Sequence, residues 1–104
     1  MENMKAFRMH LKPGCKEEYK RRHSELWPEM REAMKKEGVY DYSIWLDEET
    51  GYLFAFQRTK GEGGSQDMKS DVVLRWWHYM EPLMDCNPDE SPVTIPLEMM
   101  FYQA

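Results

Sequence analysis

Residues Tyr52, Leu53, Phe54, Ala55 and Phe56 form an unbroken apolar run of strand length. Successive side chains of a strand point to opposite faces, so Tyr52, Phe54 and Phe56 fall on one side and Leu53 and Ala55 on the other. A sheet containing this strand has to be covered on both sides. The segments around it indicate what covers it. Lys5 to Leu11 alternates Phe7, Met9 and Leu11 against Ala6, Arg8 and His10, the period of a strand, and Pro13-Gly14 ends it. Lys16 to Glu37 reads as a charged helix stopped by Gly38 and interrupted at Pro28, which cannot donate to the Ser24 carbonyl and suits the first turn of a second piece.

Tyr40 to Leu46 and Tyr52 to Arg58 read as an antiparallel hairpin around Asp47-Glu48-Glu49-Thr50-Gly51. A polar, glycine-rich stretch, Lys60 to Gln66, precedes a second helix expected from about Asp67 to Met84 and irregular at Glu81-Pro82. Leu97, Met99 and Phe101 alternate with Glu98, Met100 and Tyr102 in an expected last strand. The order strand, helix, strand, strand, helix, strand predicts an α+β fold, a ferredoxin-like sandwich in a single domain spanning residues 1–104. Helices then cover one side of the sheet, and a second copy of the chain, in a two-fold homodimer, is expected to cover the other.

The chain's 104 residues suffice for one modest core, burying roughly 60–70% of the unfolded surface. A net charge of -5 opposes nonspecific binding to nucleic acid or to an anionic membrane, which points to a small or neutral ligand. Cys15 and Cys86 make neither a disulfide framework nor a metal-ligand spacing, and the natural compartment is a reducing cytoplasm. No apolar stretch approaches the roughly 18 residues of a membrane span, and the start, Met-Glu-Asn-Met-Lys-Ala, resembles no export signal. The ten methionines read as adaptable core filler.

Two aromatic constellations suggest a site. Tyr19, His23 and Trp27 are spaced four apart, and a four-residue step rotates by about 40° on a helix, so Tyr19 and His23 share a face with Trp27 beside them unless Pro28 breaks the helix. Trp76 and Trp77 sit in the second helix about 100° apart, an arrangement in which one ring can line a pocket while the other supports it. Flat apolar rings with polar edges suit a pyranose, whose C–H face lies on indole while its hydroxyls reach N–H and O–H groups. His23 is the acid/base candidate because imidazole titrates near neutrality. Taken alone, a histidine in a charged helix is more often a solvated or satisfied residue, and Tyr19 and Tyr42 fit a core with a bonded hydroxyl as readily as a polyol site. His10 and His78 lie in different elements, and no cluster has convincing ligand spacing for a metal. On the residues alone, a monooxygenase or haem-degrading protein and a non-catalytic carbohydrate sensor remain alternatives to a sugar-converting enzyme.

Several segments together resemble the L-rhamnose mutarotase family: Glu17-Glu18-Tyr19-Lys20-Arg21-Arg22-His23, Leu26-Trp27-Pro28-Glu29, Asp41-Tyr42, Arg75-Trp76-Trp77 and Asn87-Pro88-Asp89-Glu90-Ser91-Pro92. The resemblance spans nearly the full chain and departs around Gly61 to Met68, where family members carry a more helix-prone segment. It implies interconversion of the α and β anomers of L-rhamnose in cytoplasmic rhamnose metabolism, no metal or organic cofactor, and a dimeric α/β barrel. By the same resemblance His23 is the proton donor, and Tyr19, Tyr42, Trp76 and Trp77 contact the sugar. The group that exchanges the second proton is not identified; Asp89 is a candidate by its place in the loop after the second helix, where its ordinary role is turn formation.

Overall fold

The computed structural model describes residues 3–104; Met1 and Glu2, the first two residues of the start that resembles no export signal, lie outside the described residues. Strand β1 (Asn3–His10) leads to helices α1 (Lys16–Ser24) and α2 (Pro28–Lys36), then to the hairpin β2 (Val39–Leu46) and β3 (Tyr52–Thr59). Helix α3 (Asp71–Met80) and a two-residue strand β4 (Ile95–Pro96) follow, with short 3-10 turns at Ser65–Asp67 and Glu81–Leu83. The result is an α+β fold with one antiparallel sheet in the order β2-β3-β1-β4.

Pro28 acts as its chemistry demands. It occupies the first turn of α2, where a missing N–H costs nothing, and the Met30 and Arg31 N–H groups start the new helix on the Trp27 carbonyl at 3.0 and 3.1 Å. Gly38, at φ +84°, turns the chain out of α2 into β2.

The register pairs Phe7 with Ala55 and Met9 with Leu53, so the inward rows of β1 and β3 meet in the core under the helices. Ile44 and Leu46 extend that face from β2, opposite Ala55 and Leu53. The opposite face carries Phe54 and Trp45, directly paired and exposed by 37% and 68%. Both apolar sides of β3 are therefore real, and α1, α2 and α3 cover only one of them.

Two sequence expectations are corrected. The second helix begins at Asp71, not near Asp67: Asp67 folds back to accept the Gly64 N–H at 2.8 Å, and Met68 is extended and buried. Three glycines within residues 61–64 make helix expensive there. The last strand is Ile95–Pro96 rather than Leu97 to Tyr102. After the Leu97 N–H bonds to the Ala6 carbonyl at 3.0 Å the chain leaves the sheet edge, and Met100 and Phe101 are 85% and 80% exposed. Alternation alone makes no strand without a neighbouring ladder to accept it.

Gly51 closes the hairpin at φ +80°, and a Cβ there would meet His10 Nε2 at 3.0 Å and the Leu11 carbonyl oxygen at 3.1 Å. Gly51→Ala is expected to cost about 1–3 kcal/mol, read as a lower urea midpoint at unchanged slope.

Candidate active site

Helix α1 places acidic Glu17 and Glu18 in its first turn and basic Arg21, Arg22 and His23 in its last, matching the helix dipole. Glu18 receives hydrogen bonds from Arg21 and Arg22, which hold its carboxyl down at about 2. With the charged side of the helix fixed, the other side turns Tyr19 inward, where it is buried. The Tyr19 and His23 rings stack at 4.4 Å with their planes 30° apart.

His23 is oriented by its own helix. Nδ1 lies 3.1 Å from the Tyr19 carbonyl oxygen, an acceptor only, so Nδ1 carries the proton and Nε2 of the neutral ring carries the lone pair. Burial lowers the pKa of His23, and the bond to the carbonyl offsets this in part. Trp76 stands edge-on to the imidazole at 5.4 Å. The ring is thus held neutral between two aromatic walls.

The break at Pro28 decides the place of Trp27. Trp27 is not beside His23 on a continuous helical face but packs edge-on to Trp76 at 5.1 Å and against Tyr79 at 5.5 Å, supporting the wall from behind. Arg75 lies over the Trp27 ring at 5.7 Å and reaches Asp71 and Glu29, tying α3 to α2. Trp76 and Trp77 are both buried and both border one cavity, so a single wall spans the arc between them.

Tyr42 arrives from the sheet. Tyr40 pairs with Arg58 and Ser43 with Phe56, so Asp41 and Tyr42 together oppose Gln57 in a β-bulge. Asp41 takes φ +49°, a conformation aspartate tolerates, and its carboxylate lies 3.7 Å from Arg58 Nε. The extra residue lets Tyr42 face the helices while Val39 beyond the bulge remains buried. Phe7 meets the Tyr42 ring edge-on at 6.4 Å. Burial raises the pKa of both Tyr42 and Tyr19, with a hydrogen bond from Ser65 opposing the shift at Tyr42 and the nearby Tyr42 adding to it at Tyr19. Both phenols are neutral hydrogen-bond groups near pH 7.

Tyr19, His23, Tyr42, Trp76 and Trp77 all border a cavity of about 930 Å³ between the sheet and the helices, within the range of roughly 300–1,000 Å³ usual for small-molecule pockets. Asp89 is not among them. It faces solvent and accepts the Ser91 N–H at 3.0 Å, the turn-forming role its sequence context suggests, and those bonds lower its pKa. Its neighbour Glu90, missed in the sequence, does reach the cavity, because φ +72° reverses the loop there; its carboxylate is 2.7 Å from His78 Nδ1. His10 is bound elsewhere, to Asp85 and the Thr50 carbonyl. Among the described residues no three His, Cys, Asp or Glu side chains converge as metal ligands.

A family model described as L-rhamnose mutarotase matches residues 4–103. A protein of Bacteroides thetaiotaomicron named L-rhamnose mutarotase is 54% identical over 98 residues, covering 93% of this chain and 94% of that one. Another of that name from Formosa agariphila is 53% identical over the same shares. The crystal structure of L-rhamnose mutarotase from Formosa agariphila matches with a TM-score of 0.90 at 46% identity, covering 98% of this chain and 99% of that one.

The lowered pKa fixes a sign. The unfolded chain protonates His23 before the folded one does, so stability from this group is full above about pH 6.5 and declines as pH falls towards the folded value. Ring NMR is expected to give a His23 midpoint below that of a model imidazole, with the proton on Nδ1 in the neutral form.

Proposed function

The chain belongs to the L-rhamnose mutarotase family, and from that membership together with the cavity geometry we propose that it interconverts the α and β anomers of L-rhamnopyranose by acid/base-assisted ring opening. The observation that carries this reading is a neutral imidazole with its hydrogen-bond donor occupied, held between aromatic rings at a sugar-sized cavity.

Opening a pyranose requires removal of the proton on the anomeric hydroxyl and delivery of a proton to the ring oxygen. The bond from the anomeric carbon to the ring oxygen breaks as the carbonyl forms. Nε2 of neutral His23 accepts the anomeric proton, and the resulting imidazolium donates it to the ring oxygen, directly or through one water. His23 is thus the proton donor at the ring oxygen. Rotation about the bond between the carbonyl carbon and its neighbour presents the other carbonyl face, and closure reverses the transfers. The cycle returns His23 neutral and consumes nothing, so it calls for neither metal nor organic cofactor. Trp76 and Trp77 offer flat surface to the C–H face of the sugar, and Tyr19 and Tyr42 offer hydroxyls to its polar edge.

The reading includes a place in cytoplasmic rhamnose metabolism and a homodimer. The strand order β2-β3-β1-β4 supports reading the fold as a ferredoxin-like sandwich. Two such sheets facing each other form a dimeric α/β barrel, which would cover Phe54 and Trp45. The exposed Met99, Met100 and Phe101 supply further apolar surface for a second copy. No described helix is long and apolar enough to cross a membrane.

Saturation transfer between the anomeric protons of L-rhamnose tests the activity. Wild-type protein is expected to accelerate exchange, and His23→Ala to lose about 10²–10⁴ of that acceleration while still folding. The wild-type rate is expected to fall as acid charges His23. Sugar binding without exchange would replace the enzyme by a sugar sensor. Sedimentation is expected to give twice the chain mass for wild type and a shift towards monomer for Phe54→Asp; a monomeric wild type would remove the dimer.

A further inference from the structure

Two rows of side chains run side by side along α1. Glu18 and Arg22 form one and Tyr19 and His23 the other, the members of each pair four residues apart. The second row meets α3 through Trp76, edge-on to the imidazole at 5.4 Å. The first row meets the same helix one turn further on. Arg22 Nη1 donates to the Tyr79 backbone carbonyl, and the guanidinium carbon lies 4.1 Å from the centroid of the Tyr79 ring. That carbonyl belongs to the last turn of α3, where the final carbonyls have no amide donor within the helix and the dipole attracts a cation. Arg22 Nε in turn donates to Glu18 Oε2 at 2.6 Å, and the arginine side chain is only 17% exposed. The Tyr79 ring leans on Trp76, with centroids 5.7 Å apart. A carboxylate of its own helix, a carbonyl of the neighbouring helix and an aromatic face thus fix the guanidinium together.

We propose that Arg22 is a positioning residue which, through the end of α3, sets the distance between the His23 imidazole and the Trp76 wall, and with it the place of the sugar relative to the acid/base group. The stack on Tyr19 orients His23 within α1 and carries no information about where α1 stands against α3. The Arg22–Tyr79 and His23–Trp76 contacts are neighbours on both helices: Arg22 and His23 are consecutive, and Tyr79 and Trp76 are one turn apart. A shift in the first contact therefore reaches the second directly. The place suits a guanidinium. A lysine ammonium carries the charge on one nitrogen, which cannot bond Glu18 and the Tyr79 carbonyl while a flat group lies over the ring. The effect on rate rests on the mutarotase reading, whereas the docking of α1 on α3 stands on the protein alone.

Displacing reacting groups by about 1 Å can cost about 10²-fold in rate. In saturation transfer at rising rhamnose concentration, Arg22→Gln is expected to lower kcat by about tenfold with KM within about twofold, because the rings that hold the sugar remain and only their place relative to Nε2 changes. An unchanged kcat, or a loss confined to KM, would overturn the proposal. A second readout needs no turnover. In proton NMR without sugar, cross-relaxation between the His23 and Trp76 ring protons is expected to weaken in Arg22→Gln, while that between Tyr19 and His23, which lies within α1, keeps its wild-type strength. If both stay unchanged the proposal fails; if both are lost together it also fails, because Arg22 would then support α1 itself. Should Arg22→Gln not fold, Arg22→Lys, which keeps the stem and the charge, is expected to show the same selective weakening to a smaller degree, and wild-type strength there would overturn the proposal. Selective weakening in a protein whose wild type exchanges no anomers would remove only the mutarotase reading.

Discussion

The row of side chains that β3 turns towards the helices, Leu53, Ala55, Gln57 and Thr59, is almost wholly removed from water, and two of the four are polar. A buried amide or hydroxyl left without a partner costs about 1–3 kcal/mol, a large share of what a domain this size has to spare. The loop after β3 meets that demand: Thr59 donates to the Gly61 carbonyl at 2.9 Å, and Gln57 accepts the Ser65 N–H and donates its amide N–H to the Ser65 hydroxyl oxygen, both at 2.8 Å. Among the described residues no buried side-chain nitrogen or oxygen is left unpaired. The polar half of one strand thus determines where the glycine-rich loop lies, and the loop in turn closes one end of the cavity. Fold and site are coupled through this strand.

The site follows from three departures from regularity. Helix α1 stops at Ser24, one residue after His23, with Pro28 opening α2; a bulge at Asp41 keeps both Tyr42 and Val39 on the helix side of β2; and Glu90 at positive φ turns a loop against the cavity mouth. Each is backbone that a uniform helix or ladder could not provide. Rings then fill the space these irregularities open, and their burial determines which groups can titrate. Tyr19 and Tyr42 are pushed up and stay protonated, whereas His23 is pushed down and stays neutral. Desolvation acts with opposite sign on acids and bases, so one apolar environment produces two neutral donors and one neutral acceptor without any charge having to be buried.

Features dictated by covalent geometry were legible in the sequence. Pro28 breaks a helix wherever it occurs, and Gly38 and Gly51 mark their turns because few other residues adopt positive φ at low cost. The alternation in β1 and β3 gave their inward and outward faces correctly because both strands have neighbours on each side. The errors lie where tertiary partners outweigh local pattern. Leu97 to Tyr102 alternates well but leaves the sheet edge, and residues 68–70 follow a loop anchored to Gln57 instead of joining α3. The four-residue spacing identified Tyr19 and His23 as neighbours and tied Trp27 to them only if Pro28 left the helix whole; with the break, its position depends on the direction α2 takes, which the spacing does not carry. The bulge at Asp41 carried no signal beyond an aspartate in a strand, a residue that pays little for the left-handed conformation.

The orientation of His23 bears on how much catalysis the fold must supply by other means. Its Nδ1–H is already bonded to a backbone carbonyl, so on the proposed mutarotase reading only Nε2 is left for the sugar, and a single nitrogen would serve both oxygens on the anomeric carbon. Those oxygens share one carbon and lie within reach of one imidazole, which favours a shuttle over two separate groups. Of the carboxylates at the cavity, Glu90 is already engaged by His78, and Asp89 faces solvent. General acid/base assistance supplies roughly 10²–10⁴ in rate, and anything beyond that has to come from orientation. On the proposed reading the stacked Tyr19, the edge-on Trp76 and Tyr42 would then share one task, which is holding the sugar so that its ring oxygen and anomeric hydroxyl both meet one lone pair.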